Sequence, residues 1–287
     1  MEGFVGMQPS TSWLAGLLEG EGTFSAGAPS LRLPFVQIGM VDADVIEQVR
    51  QIFGITYVQR KADPRGYRDI YRVIIRGRRA VDLMHAVFPF MASRRQRQIV
   101  AALETHGLPL PSAGSVSKGE QFEWLAGILE AEGTFGAGPP SEPNRTYIKI
   151  EMVDYDVVEH VGIWFQRTVT PGRRASERRQ ASYLTRVTGR RAVNLMIALR
   201  PYMGQRRQAQ IDAALASFNT RMNRRQGEHN PSVKLLAHQV LEIYDRVNTG
   251  ESHRALAREF GVAHPAIGDI KTGHTWGWLT GAGNPEE

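Results

Sequence analysis

Apolar residues along this chain follow two periods, and the alternation between them predicts the order of elements. Val45, Ile46, Val49 and Ile52 recur at helical spacing over Ala43–Phe53, a run closed by Gly54. Arg79–Phe88 keeps the same period up to Pro89, and Arg94–Glu104 forms a further helix. An earlier apolar run starts near Ser12, a candidate N-cap, and stops at Gly22. Between these lie segments with a period of two. Leu33–Met40 reads as one strand. Asp69–Ile75 reads as another, with Tyr71, Val73 and Ile75 alternating against Arg68, Arg72 and Arg76. The predicted order is helix, two strands, helix, two strands, helix, helix. Such a chain folds as a four-stranded antiparallel sheet with its helices on one face, leaving the other face solvated.

The whole pattern occurs twice. Trp13-Leu-Ala-Gly-Leu-Leu-Glu-Gly-Glu-Gly-Thr-Phe-Ser-Ala-Gly27 and Trp124-Leu-Ala-Gly-Ile-Leu-Glu-Ala-Glu-Gly-Thr-Phe-Gly-Ala-Gly138 share twelve of fifteen positions at an offset of 111. After one inserted residue, Val41-Asp-Ala-Asp-Val45 matches Val153-Asp-Tyr-Asp-Val157. Gly77–Met84 then matches Gly189–Met196, and Pro89–Gln96 matches Pro201–Gln208. A period this long indicates a duplicated domain rather than a solenoid. The expected organisation is a first half over 1–104, a linker over 105–120 and a second half over 121–218. A second polar linker over 219–232 precedes a separate tail over 233–287.

The bulk numbers narrow the class of partner. The 287 residues are 42% hydrophobic, enough for two small cores and an appendage, and the net charge of +6 favours a polyanion or an anionic membrane. No stretch is apolar enough to span a bilayer, and the N-terminus lacks the apolar core of a signal peptide. No membrane is therefore expected as a partner, and the expected compartment is cytoplasmic (bacterial, phage-infected or organellar). The chain has no cysteine, which excludes disulfides, thiolate zinc sites and thiol catalysis.

The duplicated helix carries the chemistry. Gly16 and Gly20 are four residues apart and share a face; Gly127 and Ala131 are their counterparts. Interior glycine costs roughly 1 kcal/mol relative to alanine, so two in one short helix point to close backbone packing. Helices crossing on these faces bring Glu21 and Glu132 to the same end of the interface. Two carboxylates there repel unless a proton or cation lies between them. Mg2+ suits carboxylates, waters and phosphate oxygens, and metals so held support phosphodiester cleavage.

Leu14–Gly22 and Leu125–Gly133 resemble the LAGLIDADG motif of homing endonucleases, in the single-chain form with two motifs. The resemblance covers about residues 12–218. It implies an α+β fold of two pseudo-symmetric αββαββα halves, with saddle-shaped antiparallel sheets over the DNA major groove. Glu21 and Glu132 occupy the position of the metal-binding acid, sharing two or three divalent ions, Mg2+ by expectation. Gly20 and Ala131 occupy the position whose backbone carbonyl can join the metals. Glu19 and Glu130 are expected to be structural. Arg94 and Arg206 fill the position of a basic residue near the reacting phosphate; arginine can stabilise charge there but cannot exchange a proton near neutrality. Met40 and Met152 stand where relatives often carry a polar residue, so that water-positioning role is absent or moved.

Gln37, Gln59, Lys61 and Arg72 in the first half, and Lys149, Arg173 and Arg186 in the second, are the candidate groove-facing residues of the sheets. Arg and Lys can bond guanine, and Gln adenine. The tail resembles a helix-turn-helix over Ser252–Lys271: Ala257 at the helix crossing, Gly261 in the turn, and Val262, Ile267 and Ile270 inward. Pro265 then lies in the first turn of the second helix, where His264, Asp269 and Lys271 face DNA. The expected protein is a monomeric, site-specific endonuclease cutting both strands of a long, asymmetric duplex. Two alternatives stay open: a DNA-binding regulator without cleavage, and a maturase that binds intron RNA.

Overall fold

The computed structural model describes residues 10–28, 32–55, 58–61, 68–139, 145–177, 179–218 and 234–282, with 59–61 described by backbone alone. The expected linker 219–232 lies outside the described residues. The chain forms two compact units. The first holds the described residues up to Val116, with Glu123–Glu132 and Tyr202–Arg207. The second holds Ser117–Phe122, Gly133–Pro201 and the described residues from Gln208 onward.

The first unit opens with α1 (Thr11–Glu21), β1 (Gly22–Ser25), β2 (Phe35–Met40) and α2 (Ala43–Ile52). It continues through β3 (Gln59–Lys61), β4 (Ile70–Arg76), α3 (Arg78–Val87), a 3-10 turn at Phe88–Phe90 and α4 (Ser93–Glu104). All strand pairs are antiparallel, in the order β1-β2-β4-β3. The alternation predicted from sequence is present. Val36, Ile38 and Met40 of β2 and Val73 and Ile75 of β4 are buried under the apolar faces of α2 and α3. Each such side chain contributes roughly 1.5–3 kcal/mol by leaving water. Arg72 and Gln37 occupy the other face, half-buried. Met40 and Met152 are core residues, 5% and 8% exposed, which accounts for an apolar side chain at that position.

One local expectation is corrected. The N-cap of α1 is Ser10, whose hydroxyl accepts from the Trp13 N–H at 3.1 Å. Ser12 lies inside the helix, buried, and donates to the Glu123 carboxylate. The Pro- and Gly-rich 105–116 segment is anchored rather than loose. The His106 ring bonds the Ala26 carbonyl at 2.9 Å, and the His85 ring bonds that of Pro109 at 3.1 Å.

α5 (Lys118–Glu132) starts three residues inside the stretch read as linker. The second unit repeats the order with β5 (Thr134–Gly136), β6 (Tyr147–Met152), α6 (Tyr155–Phe165), β7 (Thr170–Pro171), β8 (Tyr183–Thr188) and α7 (Gly189–Leu199). A 3-10 turn at Arg200–Tyr202 leads to α8 (Gln205–Ser217). Its sheet has the equivalent order, β5-β6-β8-β7. The tail adds α9 (Ala237–Asn248), α10 (His253–Glu259), α11 (His264–Thr272) and α12 (Gly277–Thr280).

The tail belongs to the second unit. The Asp245 carboxylate of α9 accepts the N–H groups of Lys118 and Gly119 at 3.0 Å each, closing the N-terminus of α5. A carboxylate there satisfies donors with no intrahelical partner and complements the helix dipole. Arg191 of α7 donates to the Trp278 carbonyl at 3.0 Å. Helical periodicity identifies the tail helices but carries no information about which surface receives them.

Candidate active site at the motif-helix crossing

Within the first unit, α1 and the Glu123–Glu132 part of α5 cross at two glycines. A Cβ at Gly16 would overlap the Trp124 carbonyl oxygen and lie 2.7 Å from the Ile128 nitrogen. A Cβ at Gly127 would overlap the Trp13 carbonyl oxygen and lie 2.8 Å from the Leu17 nitrogen. The backbones therefore touch, and the contact is reciprocal. One turn further on, a Cβ at Gly20 would meet Ala131 Cβ at 2.6 Å and Glu132 Cγ at 3.0 Å. Glu132 thus lies against the residue preceding Glu21.

The electrostatics follow from this approach. The Glu21 carboxyl is pushed up to about 7, first by burial, then by the charges of Glu132 and Asp42; Arg206 and Arg207 pull the other way. Two acids held together with incomplete compensation bind either a proton or a cation. Among the described residues no group of three or more His, Asp or Glu side chains could hold a metal. A cation here would take two carboxylates and complete its shell with water and phosphate oxygens, which is the habit of Mg2+. The donor set fits such an ion.

Residues 8–85 match the family model described as LAGLIDADG-like domain. No match is found among curated proteins. Among solved structures, the chain is similar to the LAGLIDADG meganuclease I-AabMI bound to uncleaved DNA, with 12% identity and a TM-score of 0.48, covering 72% of this chain and 90% of that one. It is also similar to the I-LtrWI LAGLIDADG homing endonuclease bound to target DNA, with 14% identity and a TM-score of 0.43, covering 91% and 96%.

The acid at the sixth position of each repeated segment is structural in its contacts. Glu19 and Glu130 are both 0% exposed. Glu19 accepts the Ala92 N–H, and Glu130 the Gly204 N–H, each at 2.8 Å. Burial pushes the Glu130 carboxyl up to about 7, against the Gly204 N–H and Arg207, which favour the ionised form.

Two residues that sequence reasoning missed hold the ends of the motif helices. Arg95 donates from Nε to the Glu19 carbonyl and from Nη2 to the Gly20 carbonyl, at 3.0 Å each. Arg207 makes the equivalent bonds to Glu130 and Ala131, also at 3.0 Å. Both arginines are about as buried as core leucines, at 5% and 6% exposure. A cation at a helix C-terminus satisfies orphan carbonyls and the negative dipole end together. The carbonyls of Gly20 and Ala131, expected to serve a metal, therefore already accept one bond each; a carbonyl oxygen has a second lone pair.

Arg206, expected to face the reacting phosphate, forms a two-pronged pair with the buried Asp42, at 2.6 and 2.5 Å. Asp44 accepts the Gln205 N–H at 2.7 Å. The repeated Val-Asp-X-Asp-Val segment thus fixes the start of α8 and the direction of Arg206. Its recurrence was visible in the sequence, but only as a mark of duplication. Arg94 is the second residue of α4, half-buried.

The sheet candidates divide. Register places Arg72 between Gly39 and Gln59, and Gln37 between Thr23 and Ile74. The side chains of Gln59 and Lys61 lie outside the described residues. Lys149 pairs with Arg186 in register, and the Arg186 guanidinium sits 4.0 Å over the Tyr147 ring. Lys149 also lies 3.5 Å from Glu151, an acid on the same face that strand alternation alone did not single out. The Glu151 carboxyl is held below its usual range, chiefly by the Ser182 hydroxyl. Arg173 is not a strand residue: β7 ends at Pro171, and Arg173 is exposed in the following loop. In the tail, Gly261 turns at a φ of 65°, Leu256, Ile267 and Ile270 are buried, and His264 and Lys271 are exposed, with Asp269 half-buried.

Proposed function

We propose that the protein is a site-specific DNA endonuclease that hydrolyses both strands of a long, asymmetric duplex with divalent metal, acting as a monomer. The reading is carried by one observation: Glu21 and Glu132 end two helices in backbone contact, and burial, with the charge of Glu132 added to it, raises the Glu21 carboxyl to about 7. In this reading the two acids hold Mg2+, which when bound activates water and stabilises the leaving oxygen.

The chain's own residues supply the rest. Glu21 must give up its proton before it can ligate, so its raised pKa sets a lower pH limit on activity. Arg206, oriented by Asp42, places a permanent cation near the acids to offset phosphate charge. Arg95 and Arg207 position both acids by fixing the helix ends. Gln37, Gln59, Lys61, Arg72, Lys149, Arg173 and Arg186 contact the duplex, with His264, Asp269 and Lys271 of a helix-turn-helix extending the contact. Both acids lie in one chain, so one copy suffices per duplex.

The test is digestion of a randomised duplex library with Mg2+, followed by sequencing of the ends. Glu21→Gln and Glu132→Gln should each abolish double-strand cleavage while leaving binding in place. Recurrent cut sites from either variant would overturn the assignment.

A further inference from the structure

A second site lies wholly within the second unit and contains neither motif acid. A cavity of about 970 Å3 opens between α6, α7, α9 and α12, within the size range of small-molecule sites. Three cations line it: Lys118, Arg167 and Arg191, against one carboxylate, Glu159. The Glu159 carboxylate accepts from the Tyr155 hydroxyl at 3.2 Å. The cations crowd one another. Burial pushes Arg191 down to about 10, and the charge of Arg167 adds to the effect. Lys118 is likewise pushed down by burial, and its ammonium sits 4.0 Å over the Trp164 ring.

Two donors in this wall have no hydrogen-bond partner among the described residues: Arg191 Nε and Trp164 Nε1. Trp164 is only 3% exposed. Neither atom is open to solvent, so the polar surface the cavity offers a ligand is that of the three cations. Trp278, whose carbonyl accepts from Arg191, and Tyr244 line the same cavity. Clustered cations select a phosphate, and aromatic side chains in the wall select a flat ring.

We infer that this cavity binds a nucleotide, with its phosphate on Lys118, Arg167 and Arg191 and its base beside Trp278 and Tyr244. The site shares no residue with the proposed cleavage centre, and its occupancy does not depend on that reading. The same chemistry is offered by a free nucleoside monophosphate and by the 5′-phosphorylated end of a single strand.

Calorimetric titration of the full chain distinguishes them. The ligands are a nucleoside monophosphate, the matching nucleoside, inorganic phosphate, and a trinucleotide with and without its 5′-phosphate. Saturable binding is expected for the phosphorylated species, weakened about tenfold or more when either the phosphate or the ring is removed. Tighter binding of the phosphorylated trinucleotide than of the monophosphate would assign a strand end; the reverse order would assign a free nucleotide. Arg167 is exposed, so Arg167→Gln should keep the melting temperature while weakening binding about tenfold. Lys118→Met serves as the second variant. Absence of saturable binding by every phosphorylated ligand would overturn the proposal. So would inorganic phosphate binding as tightly as the nucleotide, or affinity unchanged in both variants.

Discussion

Replacing Glu21 with glutamine should make the metal-free protein more stable at alkaline pH and leave it unchanged in acid. An acid whose folded pKa lies above its unfolded value binds more protons when folded, so the folded state gains at low pH. For Glu21 the two values are about 7 and 4.5. Its penalty is therefore absent below pH 4.5, grows as pH rises through that window, and is complete above 7. The full difference corresponds to roughly 3 kcal/mol. Glu21 is half-buried, so solvent screening reduces this to about 1–2 kcal/mol. Glu21→Gln removes the charge while keeping the shape. At about pH 8 it should raise the melting temperature by roughly 2–6 °C over wild type, and at about pH 4.5 by nothing measurable. Glu130 has the same sign, also at about 7, so the variant keeps part of the pH dependence. Thermal unfolding in chelator across this pH range is the assay. Repeating it in millimolar Mg2+ should stabilise wild type and not the variant. A variant that follows the wild-type pH curve, or is less stable than wild type at about pH 8, would refute the argument that Glu132 and burial load this carboxylate.

Three further outcomes follow from contacts within the units. Gly16→Ala should cost about 3 kcal/mol or more in denaturant unfolding, because the added carbon meets the Trp124 backbone, whereas Gly39→Ala, with its nearest neighbour at 3.6 Å, should change stability by less than about 1 kcal/mol. Arg207→Met should cost about 2–4 kcal/mol by stripping two buried carbonyls of their donor, and Arg95→Met a similar amount. Asp245→Ala should cost about 1–2 kcal/mol by uncapping α5, and removing residues 234–287 should cost more; a truncated chain with the wild-type melting temperature would show that the tail is a tethered module after all.

The parts of this fold legible in the sequence are those set by local periodicity. β2 and β4 were readable because Val36, Ile38 and Met40, and Val73 and Ile75, alternate with polar neighbours. The crossing was readable because two small residues one turn apart weaken a short helix unless a second backbone packs against them. What escaped prediction depends on long-range partners. Nothing local separates Arg94 from Arg95, yet Arg95 is the one buried at the end of α1. Ser10 and Ser12 are equally good caps by composition, and the Glu123 carboxylate, 111 residues after Ser12, accepts from both hydroxyls; only Ser10, ahead of the first turn, also takes the Trp13 N–H. Asp42 was hidden because an acid just before a helix reads as an N-cap, and here it makes no side-chain cap bond but pairs with Arg206.

The adjacent arginines of α8 show how one short segment can serve both support and chemistry. Successive residues on a helix point about 100° apart, so Arg206 and Arg207 cannot address the same target. Arg207 turns inward and donates to the carbonyls of Glu130 and Ala131, which fixes the last turn of α5 and with it the backbone that carries Glu132. Arg206 turns toward Asp42, whose second neighbour Asp44 receives the Gln205 N–H. The cation and the acid it is proposed to assist are therefore referenced to the same few residues, so their separation is set by short, charge-assisted bonds rather than by a long side chain searching solvent. A lysine at either position could supply the charge but not the two directed N–H groups that each geometry uses. Arginine at these two positions is thus explained by positioning, and a proton-transfer role for Arg206 is not needed to account for its presence.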